Sequence, residues 1–310
     1  MPTTRPRAHR PHHAILPAVL LLVVAACGST APSASPAGSA EPPGASPGAS
    51  PAASPSAETT AATAAEIDAL RDAALASVDE GTVRLVYSVE FEGANTVPDG
   101  VFLTGRGQTS FGEPRQAYLS SDLRNESFGD WEMWLDEREL YLKGDVVRAL
   151  VPADRWLLVN LDSNHRLVSQ FASLASGQND TSLALFYVLG ASDDVQTGEG
   201  ESIDGSDTTR YVLDIDLATV AERAPAESAQ AIEDNLAALE ASGISPVIQA
   251  EVWVGTAGRI LRTRYVYTLG DAEGGGHLIG TYTFGAYGAA MDVATPPDAE
   301  VIPLEEAVAS

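Results

Sequence analysis

Cysteine and lysine are almost missing from this chain of 310 residues, which contains one of each, Cys27 and Lys143. A single cysteine cannot form an intramolecular disulfide or a thiolate metal site, so the packing of apolar side chains must hold the fold together. Basic residues are also few, with 18 Lys and Arg against 43 Asp and Glu and a net charge of −25. This charge argues against binding to nucleic acid and against docking on anionic lipid through a basic patch.

Residues that could perform catalysis or hold a metal are scarce as well. Three of the five histidines, His9, His12 and His13, lie close to the N-terminus, and only His165 and His277 lie further along the chain. The sequence has no nucleophile elbow, in which the serine of a G-x-S-x-G motif lies on a sharp strand-to-helix turn, and no H-E-x-x-H zinc motif. We therefore expect no enzymatic activity, no bound metal and no cofactor.

The first 26 residues have the composition of a secretory signal peptide. Arg5, Arg7 and Arg10 form a basic leader, and a mostly apolar segment follows from Ala14 to Ala26. This segment is too short to span a bilayer, which requires about 20 apolar residues. A basic leader, a short apolar segment and small residues before the cleavage point are typical of an exported protein. We expect residues 1–26 to be removed.

The sequence Val24-Ala25-Ala26-Cys27 at the end of this segment resembles the bacterial lipobox. The resemblance implies that Cys27 Sγ carries a diacylglycerol thioether and that the amine freed by cleavage accepts a further acyl chain such as palmitate. One acyl chain gives only reversible membrane binding, whereas two signals together give stable anchoring. We therefore expect the diacylglyceryl group on Cys27 to hold the mature chain at the cell membrane, on its extracytoplasmic side.

A stretch rich in Ala, Ser, Pro and Gly follows the cysteine. It has almost no apolar side chain larger than alanine, so burial cannot offset the entropy that would be lost on ordering. We interpret residues 27–63 as the lipidated cysteine and a disordered tether, whose root-mean-square reach is roughly 30–36 Å. Residues 64–304 are then expected to form one folded domain, followed by a short tail at 305–310.

Hydrophobic periodicity divides this domain into helices and strands. Helical spacing at 64–78, with Thr63 as N-cap and Glu66 three residues later, predicts a helix with a capping box. Alternation predicts strands at 82–92, 101–111, 115–121, 130–135, 139–143, 156–161, 195–201, 208–215, 247–254, 259–269 and 277–287. Helical spacing returns at 164–176, 182–189, 217–223 and 227–241. Short turns between successive strands indicate an antiparallel sheet, and a sheet of this size tends to curl.

Several ordered features of the domain resemble the LppX/LprG-type bacterial lipoproteins, relatives of the LolA and LolB lipoprotein carriers. In chain order these features are Trp134-Leu135-Asp136, Leu140-Tyr141-Leu142, Trp156-Leu157-Leu158-Val159-Asn160, residues 205–213, residues 252–260 and Val293-Ala294-Thr295-Pro296-Pro297. The hairpin at 252–260 departs from the family pattern, because Gly255 occupies a position where aspartate is usual. The resemblance implies an α+β fold, in which helices cover the concave face of a curved antiparallel half-barrel sheet. It also implies an apolar cavity for acyl chains between the sheet and the helices.

Alternation along the strands selects the side chains that would face such a cavity. The strands contribute Leu85, Tyr87, Val89, Phe91, Leu103, Leu135, Leu140, Leu142, Leu158, Leu213, Ile215 and Val252. The helices contribute Phe171, Leu174, Leu185, Phe186 and Leu189. The segment 182–189 is apolar nearly all round, so it must be buried on both sides or lie against a ligand. A one-residue shift in strand register would exchange the two faces, and the pattern alone does not distinguish a cavity from a filled core.

Two functions are consistent with these features. The first is a membrane-anchored lipoprotein that binds the acyl chains of a lipid or glycolipid and carries or chaperones them in the cell envelope. The alternative is an envelope sensor or protein-interaction lipoprotein without lipid cargo. That protein would bind a transporter or another envelope protein through an exposed edge strand such as 195–201, to which a partner strand could be added.

Overall fold

A computed structural model describes residues 59–93, 99–111, 116–123, 129–168, 171, 181–241, 244–270 and 275–309. Cys27, Leu174 and most of the helix expected at 164–176 lie outside the described residues.

One large sheet contains all the described strands. They are β1 Thr60–Ala61, β2 Thr82–Glu92, β3 Gly100–Ser110, β4 Gln116–Leu123, β5 Asp130–Asp136, β6 Glu139–Gly144, β7 Trp156–Asn160, β8 Gln196–Glu199, β9 Thr208–Asp216, β10 Val247–Gly255, β11 Ile260–Thr268, β12 His277–Gly285 and β13 Val301–Pro303. Their spatial order is β1-β8-β9-β10-β11-β12-β2-β3-β4-β5-β6-β7-β13. Neighbouring strands are antiparallel except β7 and β13, which are parallel. β1 and β13 are its two edges, so the sheet is not closed into a barrel, and the predicted antiparallel α+β architecture is confirmed.

The helices are α1 Ala64–Val78, α2 Thr181–Phe186, α3 Leu217–Arg223, α4 Ala226–Ala241 and α5 Leu304–Ala309, and a 3₁₀ turn at Tyr187–Gly190 continues α2. The capping box predicted for α1 is present. The Glu66 backbone N–H donates to Thr63 Oγ1 at 3.3 Å, and the Thr63 N–H donates to Glu66 Oε2 at 2.7 Å. These bonds satisfy two of the backbone N–H groups that a helix start leaves free, so the first turn of α1 is well defined.

Every strand predicted from alternation is present, with ends that differ by at most two residues. Among the described strands and α-helices, three short elements were not predicted. Thr60 and Ala61, which the sequence places in the tether, form β1, while β13 and α5 lie where little periodicity is visible. Elements of two, three and six residues are too short for a repeating pattern to reveal them.

β1 pairs with β8, the strand that the sequence predicts as an exposed edge. Thr60 pairs with Thr197, and the Ala62 N–H donates to the Val195 carbonyl at 2.8 Å. β1 therefore covers residues 195–197 of the segment 195–201, so this part is not the exposed edge that a protein-interaction role would use.

The two faces of the sheet have different surroundings. The inner face, which carries Leu85, Tyr87 and Tyr282, belongs to one continuous apolar cluster with buried side chains of α1 and α2. The outer face carries a second, smaller cluster built around Trp134 and Trp156. Only the inner face is covered by α1 and α2, so it is where a cavity of the expected kind would lie.

Charged side chains fix the end of the apolar α2 segment over the inner face. Arg71 of α1 donates to the Ala191 carbonyl at 2.7 Å, and Arg223 of α3 donates to the Leu189 carbonyl at 2.8 Å. At the other end, the Tyr265 hydroxyl on β11 donates to the Ala184 carbonyl. These bonds satisfy buried carbonyl groups and hold α2 above the centre of the sheet.

No helix within the described ranges is long and apolar enough to cross a bilayer. The same ranges contain no group of three or more His, Cys, Asp or Glu side chains that could hold a metal ion.

Candidate functional site

The structure brings most of the predicted cavity residues together. All the described candidates except Leu158 belong to the single apolar cluster of the inner face. They are Leu85, Tyr87, Val89, Phe91, Leu103, Leu135, Leu140, Leu142, Phe171, Leu185, Phe186, Leu189, Leu213, Ile215 and Val252. The alternation of these strands therefore predicted the correct face, although membership of the cluster does not by itself distinguish ligand contact from core packing.

The face predicted for Leu158 is wrong. Leu158 pairs with Tyr141 and packs against the cluster of Trp134 and Trp156 on the outer face. Leu157 is fully buried on the inner face in its place. Residues 156–159 are all apolar, so alternation gave no means of choosing a face, and a one-residue shift reverses the assignment.

Gly105 and Gly280 both lie on the inner face, and their surroundings differ. The Tyr87 ring lies across Gly105, where a Cβ would come within 2.4 Å of Tyr87 Cζ. A Cβ on Gly280 would meet only the Tyr282 ring, at ordinary contact distances of 3.4 to 4.0 Å. A Cβ at Gly105 would therefore clash with a neighbouring side chain, whereas a Cβ at the buried Gly280 would make only ordinary contacts. We call the inner-face surface formed by Gly280, Tyr267 and Tyr282 the Gly280 niche.

Strand register defines the walls of the niche. Gly280 on β12 pairs with Tyr265 on β11 and with Val89 on β2. Tyr282 follows on the same face of β12, and Tyr267 follows Tyr265 on the same face of β11. Tyr267 and Tyr282 are only half-buried although they lie on central strands of the inner face. Part of each ring is therefore accessible on the inner face, although Gly280 itself is buried.

The buried segment around α2 covers this part of the sheet. Residues from Leu183 to Gly190 are all buried, as expected for a segment that is apolar nearly all round. The Tyr187 ring meets the Tyr265 ring edge-on, with the centroids 5.6 Å apart. α2 also packs against α1, so this segment is enclosed between the sheet and another helix.

The tyrosine hydroxyls near the niche fall into two groups. In the first group, the Tyr87 hydroxyl is hydrogen-bonded to Ser121, and the Tyr265 hydroxyl donates to the Ala184 carbonyl. The Tyr187 hydroxyl donates to Asn235 Oδ1 at 2.9 Å. In the second group, the hydroxyls of Tyr267 and Tyr282 have no hydrogen-bond partner among the described residues.

Among the described residues, those that form the Gly280 niche are uncharged. Burial raises the pKa of Tyr282, and it raises the pKa of Tyr267 well above the ordinary value. Both phenols therefore stay protonated at physiological pH. The surrounding inner-face positions, including Val89 and Leu278, carry no charge. Such a surface favours apolar or neutral groups over an ion, because a buried charge without a partner is costly.

Sequence reasoning missed two residues of the site. Tyr267 continues the alternation of Tyr265 and could have been included on that ground. Gly280 lies inside a predicted strand, where an isolated glycine often marks the close approach of another group. That rule identifies the position but does not say whether the space above it is filled.

Among the solved structures similar to this chain is LprF from Mycobacterium bovis, with a TM-score of 0.45 and 14% identity over 76% of this chain and 99% of that one. The Mycobacterium tuberculosis lipoprotein LppX gives a TM-score of 0.43 and 14% identity over 75% of this chain and 100% of that one. A DUF1329 family protein from Desulfovibrio piger gives a TM-score of 0.26 and 15% identity over 71% and 91%. No protein-family model and no curated protein sequence matches the chain.

LprF and LppX are lipoproteins of the type that residues 64–304 resemble in sequence. Because the TM-scores are below 0.5, these overlaps carry no argument for function, which is argued below from the residues of the chain itself.

Proposed function

We propose that this protein is a lipoprotein of the cell envelope that binds the acyl chains of a lipid or glycolipid between the inner face and α2. It carries or chaperones these chains, and a transporter or another envelope protein is the partner that receives them. The observation that supports the proposal is the Gly280 niche, an uncharged part of the inner face where the rings of Tyr267 and Tyr282 remain partly accessible. An acyl chain suits it, because apolar groups gain free energy on leaving water and an acyl chain brings no charge into the niche.

The anchor and the tether suit this role. Two acyl chains on Cys27 keep the protein at the membrane, where its lipid ligand is found. A tether with a reach of roughly 30–36 Å lets the domain touch the leaflet or stand away from it. An extracted chain can therefore be shielded in the domain without the protein leaving the membrane surface.

Native mass spectrometry tests the proposal with residues 28–310, which include every described element and lack only the signal peptide and Cys27. This chain is incubated with vesicles of phospholipid and glycolipid and then separated from them. We expect a fraction of the protein to retain one lipid mass. Lipid extraction from the protein as purified identifies any ligand acquired during expression.

A pair of substitutions at one position provides the matched control. Gly280→Leu fills the niche and should remove most of the retained lipid while the circular dichroism spectrum stays unchanged. Gly280→Ala adds one methyl group and should retain lipid nearly as well as the unmodified chain. If no form of the protein retains lipid from any vesicle, the proposal is wrong.

The protein-interaction alternative relies on an exposed strand at 195–201. β1 pairs with part of that strand, at Gln196 and Thr197, so less of it is exposed to a partner than the alternative expects.

A further inference from the structure

A groove on the outer face of the sheet lies beside the aromatic cluster, over the strands β2 to β5. Its volume is about 570 Å³. This volume falls within the range of roughly 300–1,000 Å³ that is usual for small-ligand sites. Side chains that line it include those of Val86, Thr104, Arg106, Ser120, Asp122 and Glu132. We call it the Arg106 groove.

Strand register places polar side chains of the groove next to one another. Arg106 on β3 lies opposite Ser120 on β4, which in turn lies opposite Glu132 on β5. Asp122 follows Ser120 on the same face of β4 and lies opposite Asp130 on β5. The groove therefore presents one guanidinium, three carboxylates and a hydroxyl at adjacent positions of the outer face.

Arg106 is exposed, and its charge is unpaired. Within the described ranges its side chain makes no hydrogen bond or ion pair, although Asp122 and Glu132 lie on the strands beside it. The other arginines on outer-face positions of the described strands each form an ion pair with a carboxylate; they are Arg84, Arg210, Arg262 and Arg264. The donors of Arg106 thus remain available to a ligand.

Asp122 and Asp130 face each other across β4 and β5. Both residues are exposed, and neither carboxylate has a partner in the part of the chain that the structure describes. Like charges directly opposite each other in a sheet are destabilising. Such a departure from what favours stability is expected at a functional site, because the residues there are selected for their ligand.

The groups that line the groove limit the class of its ligand. A guanidinium only donates hydrogen bonds, an ionised carboxylate only accepts them, and the hydroxyls of Thr104 and Ser120 do both. An anionic ligand would meet three carboxylates, and a cationic ligand would meet Arg106. A hydrocarbon would desolvate all these groups without pairing them. A carbohydrate suits them, because each of its hydroxyls both donates and accepts.

A peptide suits the groove less well than a carbohydrate. The strands β2 to β5 lie in the interior of the sheet and pair with a neighbour on each side, so no peptide strand can be added to them. Among the described residues that line the groove, Val86 is the one exposed large apolar side chain. The groove therefore offers little to the apolar side chains that usually give peptide recognition its specificity.

We propose that the Arg106 groove binds an uncharged oligosaccharide segment of a polysaccharide. Arg106 donates to sugar oxygens, and Asp122 and Asp130 accept hydrogen bonds from sugar hydroxyls. Because these three residues are exposed, the groove is open to solvent and admits internal units of a long chain. The inference does not rest on acyl-chain binding, which concerns the opposite face of the sheet.

Saturation-transfer NMR and calorimetry test the inference with residues 28–310. The probes are uncharged sugars of glucose, mannose, arabinose, galactose and N-acetylglucosamine, each as monomer and as tetramer. We expect at least one tetramer to bind, and to bind more tightly than its monomer. Arg106→Ala and Asp122→Ala should each weaken this binding about tenfold or more, as expected for hydrogen bonds to charged groups. Arg138→Ala, which removes an exposed arginine outside the groove, is the control and should leave the affinity unchanged.

Two further readouts separate a binding role from a structural one. Asp122→Ala removes the repulsion with Asp130, so its thermal stability should be unchanged or higher while its sugar binding falls. The affinity for the neutral tetramer should be nearly the same at low and high salt, because no net charge is paired on binding. Lipid retention should be unchanged in both groove variants.

Three results would overturn the inference. The first is that no tetramer binds at millimolar concentration, whatever the lipid test shows. The second is that sugar binding survives both Arg106→Ala and Asp122→Ala, which would place the sugar elsewhere on the protein. The third is that tetralysine binds in a salt-dependent manner, is lost in Asp122→Ala, and no sugar binds, which would assign the groove to a basic peptide.

Discussion

The hydroxyl groups of Tyr87 and Ser121 are hydrogen-bonded across the backbone of Gly105. Tyr87 lies on β2 and Ser121 on β4, so the ring passes over the whole width of β3. A Cβ on Gly105 would lie 2.4 Å from Tyr87 Cζ and 2.5 Å from the Ser120 carbonyl oxygen. The bond therefore depends on the missing side chain of Gly105.

The two glycines should respond oppositely to a single methyl group. Gly105→Ala must displace a buried ring and a backbone carbonyl, so it should lower the free energy of unfolding by about 1–3 kcal/mol, as overpacking usually does. Gly280→Ala meets only ordinary contacts and should be neutral or stabilising by about 0.4–1 kcal/mol, because alanine restricts the unfolded chain. Urea unfolding measures both. An equal loss in the two variants would mean that the niche is already filled.

The buried tyrosines predict how stability changes at alkaline pH. Burial raises the pKa of Tyr87 to about 12, and it also raises the pKa values of Tyr267 and Tyr282. An unfolded tyrosine ionises near pH 10. Above about pH 10 the folded chain therefore binds more protons than the unfolded chain, so this contribution is complete below that pH and is lost as the pH rises.

We expect the free energy of unfolding to fall steeply above about pH 10. Phenolate absorbance in the ultraviolet should appear together with the loss of the circular dichroism signal, because most of these phenols ionise only when the chain unfolds. Tyr87→Phe should lose less stability over the same pH interval. Gradual ionisation of all the tyrosines in a chain that remains folded would contradict this expectation.

Two neighbouring leucines on β7 test the assignment of the faces. Leu157 is fully buried in the inner-face cluster, so Leu157→Ala should lower the free energy of unfolding by about 2–5 kcal/mol. Leu158 is only half-buried on the outer face, and Leu158→Ala should cost clearly less. Chemical denaturation of the two variants gives the comparison. A larger cost at Leu158 would restore the register expected from the sequence.

Leu158 also illustrates what sequence patterns can and cannot predict here. On β2, Leu85 and Tyr87 alternate with exposed or polar residues, so the inner face was predicted correctly. On β7, four consecutive apolar residues give no alternation, because the outer face is also covered there, by Met291 and Val293. A second buried cluster thus makes both faces of β7 apolar, so the alternation of apolar and polar residues on which the prediction depends is lost.

The Gly280 niche could not be predicted from the sequence, for a different reason. Gly105 and Gly280 both lie inside strands with a tyrosine on a neighbouring inner-face position. A Cβ would clash with a neighbouring ring at Gly105 and would make only ordinary contacts at Gly280. The difference lies in side-chain conformations and in the bond between Tyr87 and Ser121, neither of which a residue pattern specifies.

The proposed lipidation of Cys27 predicts in which cell fraction the protein is found. Cys27→Ser removes the thiol that would accept the diacylglyceryl group, so labelled palmitate should no longer be incorporated. The protein should move from the membrane fraction to the soluble extracytoplasmic fraction, or remain as an unprocessed precursor of higher mass. Ser29→Ala, two residues away, is the control and should stay lipidated. Labelled lipid on the Cys27→Ser protein would refute attachment at this residue.

The C-terminal segment from residue 286 to 309 crosses the outer face and covers its aromatic cluster. The Gln108 side chain donates to the Ala290 carbonyl at 2.7 Å, and Arg84 lies 2.6 Å from Asp292. Further along, Val301 pairs with Trp156 at the edge of the sheet. This segment therefore protects both an apolar surface and the unpaired backbone of β7.

Truncations at two points separate the parts of this segment. Removal of residues 301–310 deletes β13 and α5, so β7 becomes an edge beside an exposed aromatic cluster, which is the arrangement that promotes aggregation. We expect lower stability, concentration-dependent aggregation and a red shift of tryptophan fluorescence as Trp156 becomes exposed to water. Removal of 305–310 alone retains β13 and the buried Leu304, so it should have a much smaller effect. Equal behaviour of the two truncated chains would show that β13 is not needed to protect β7.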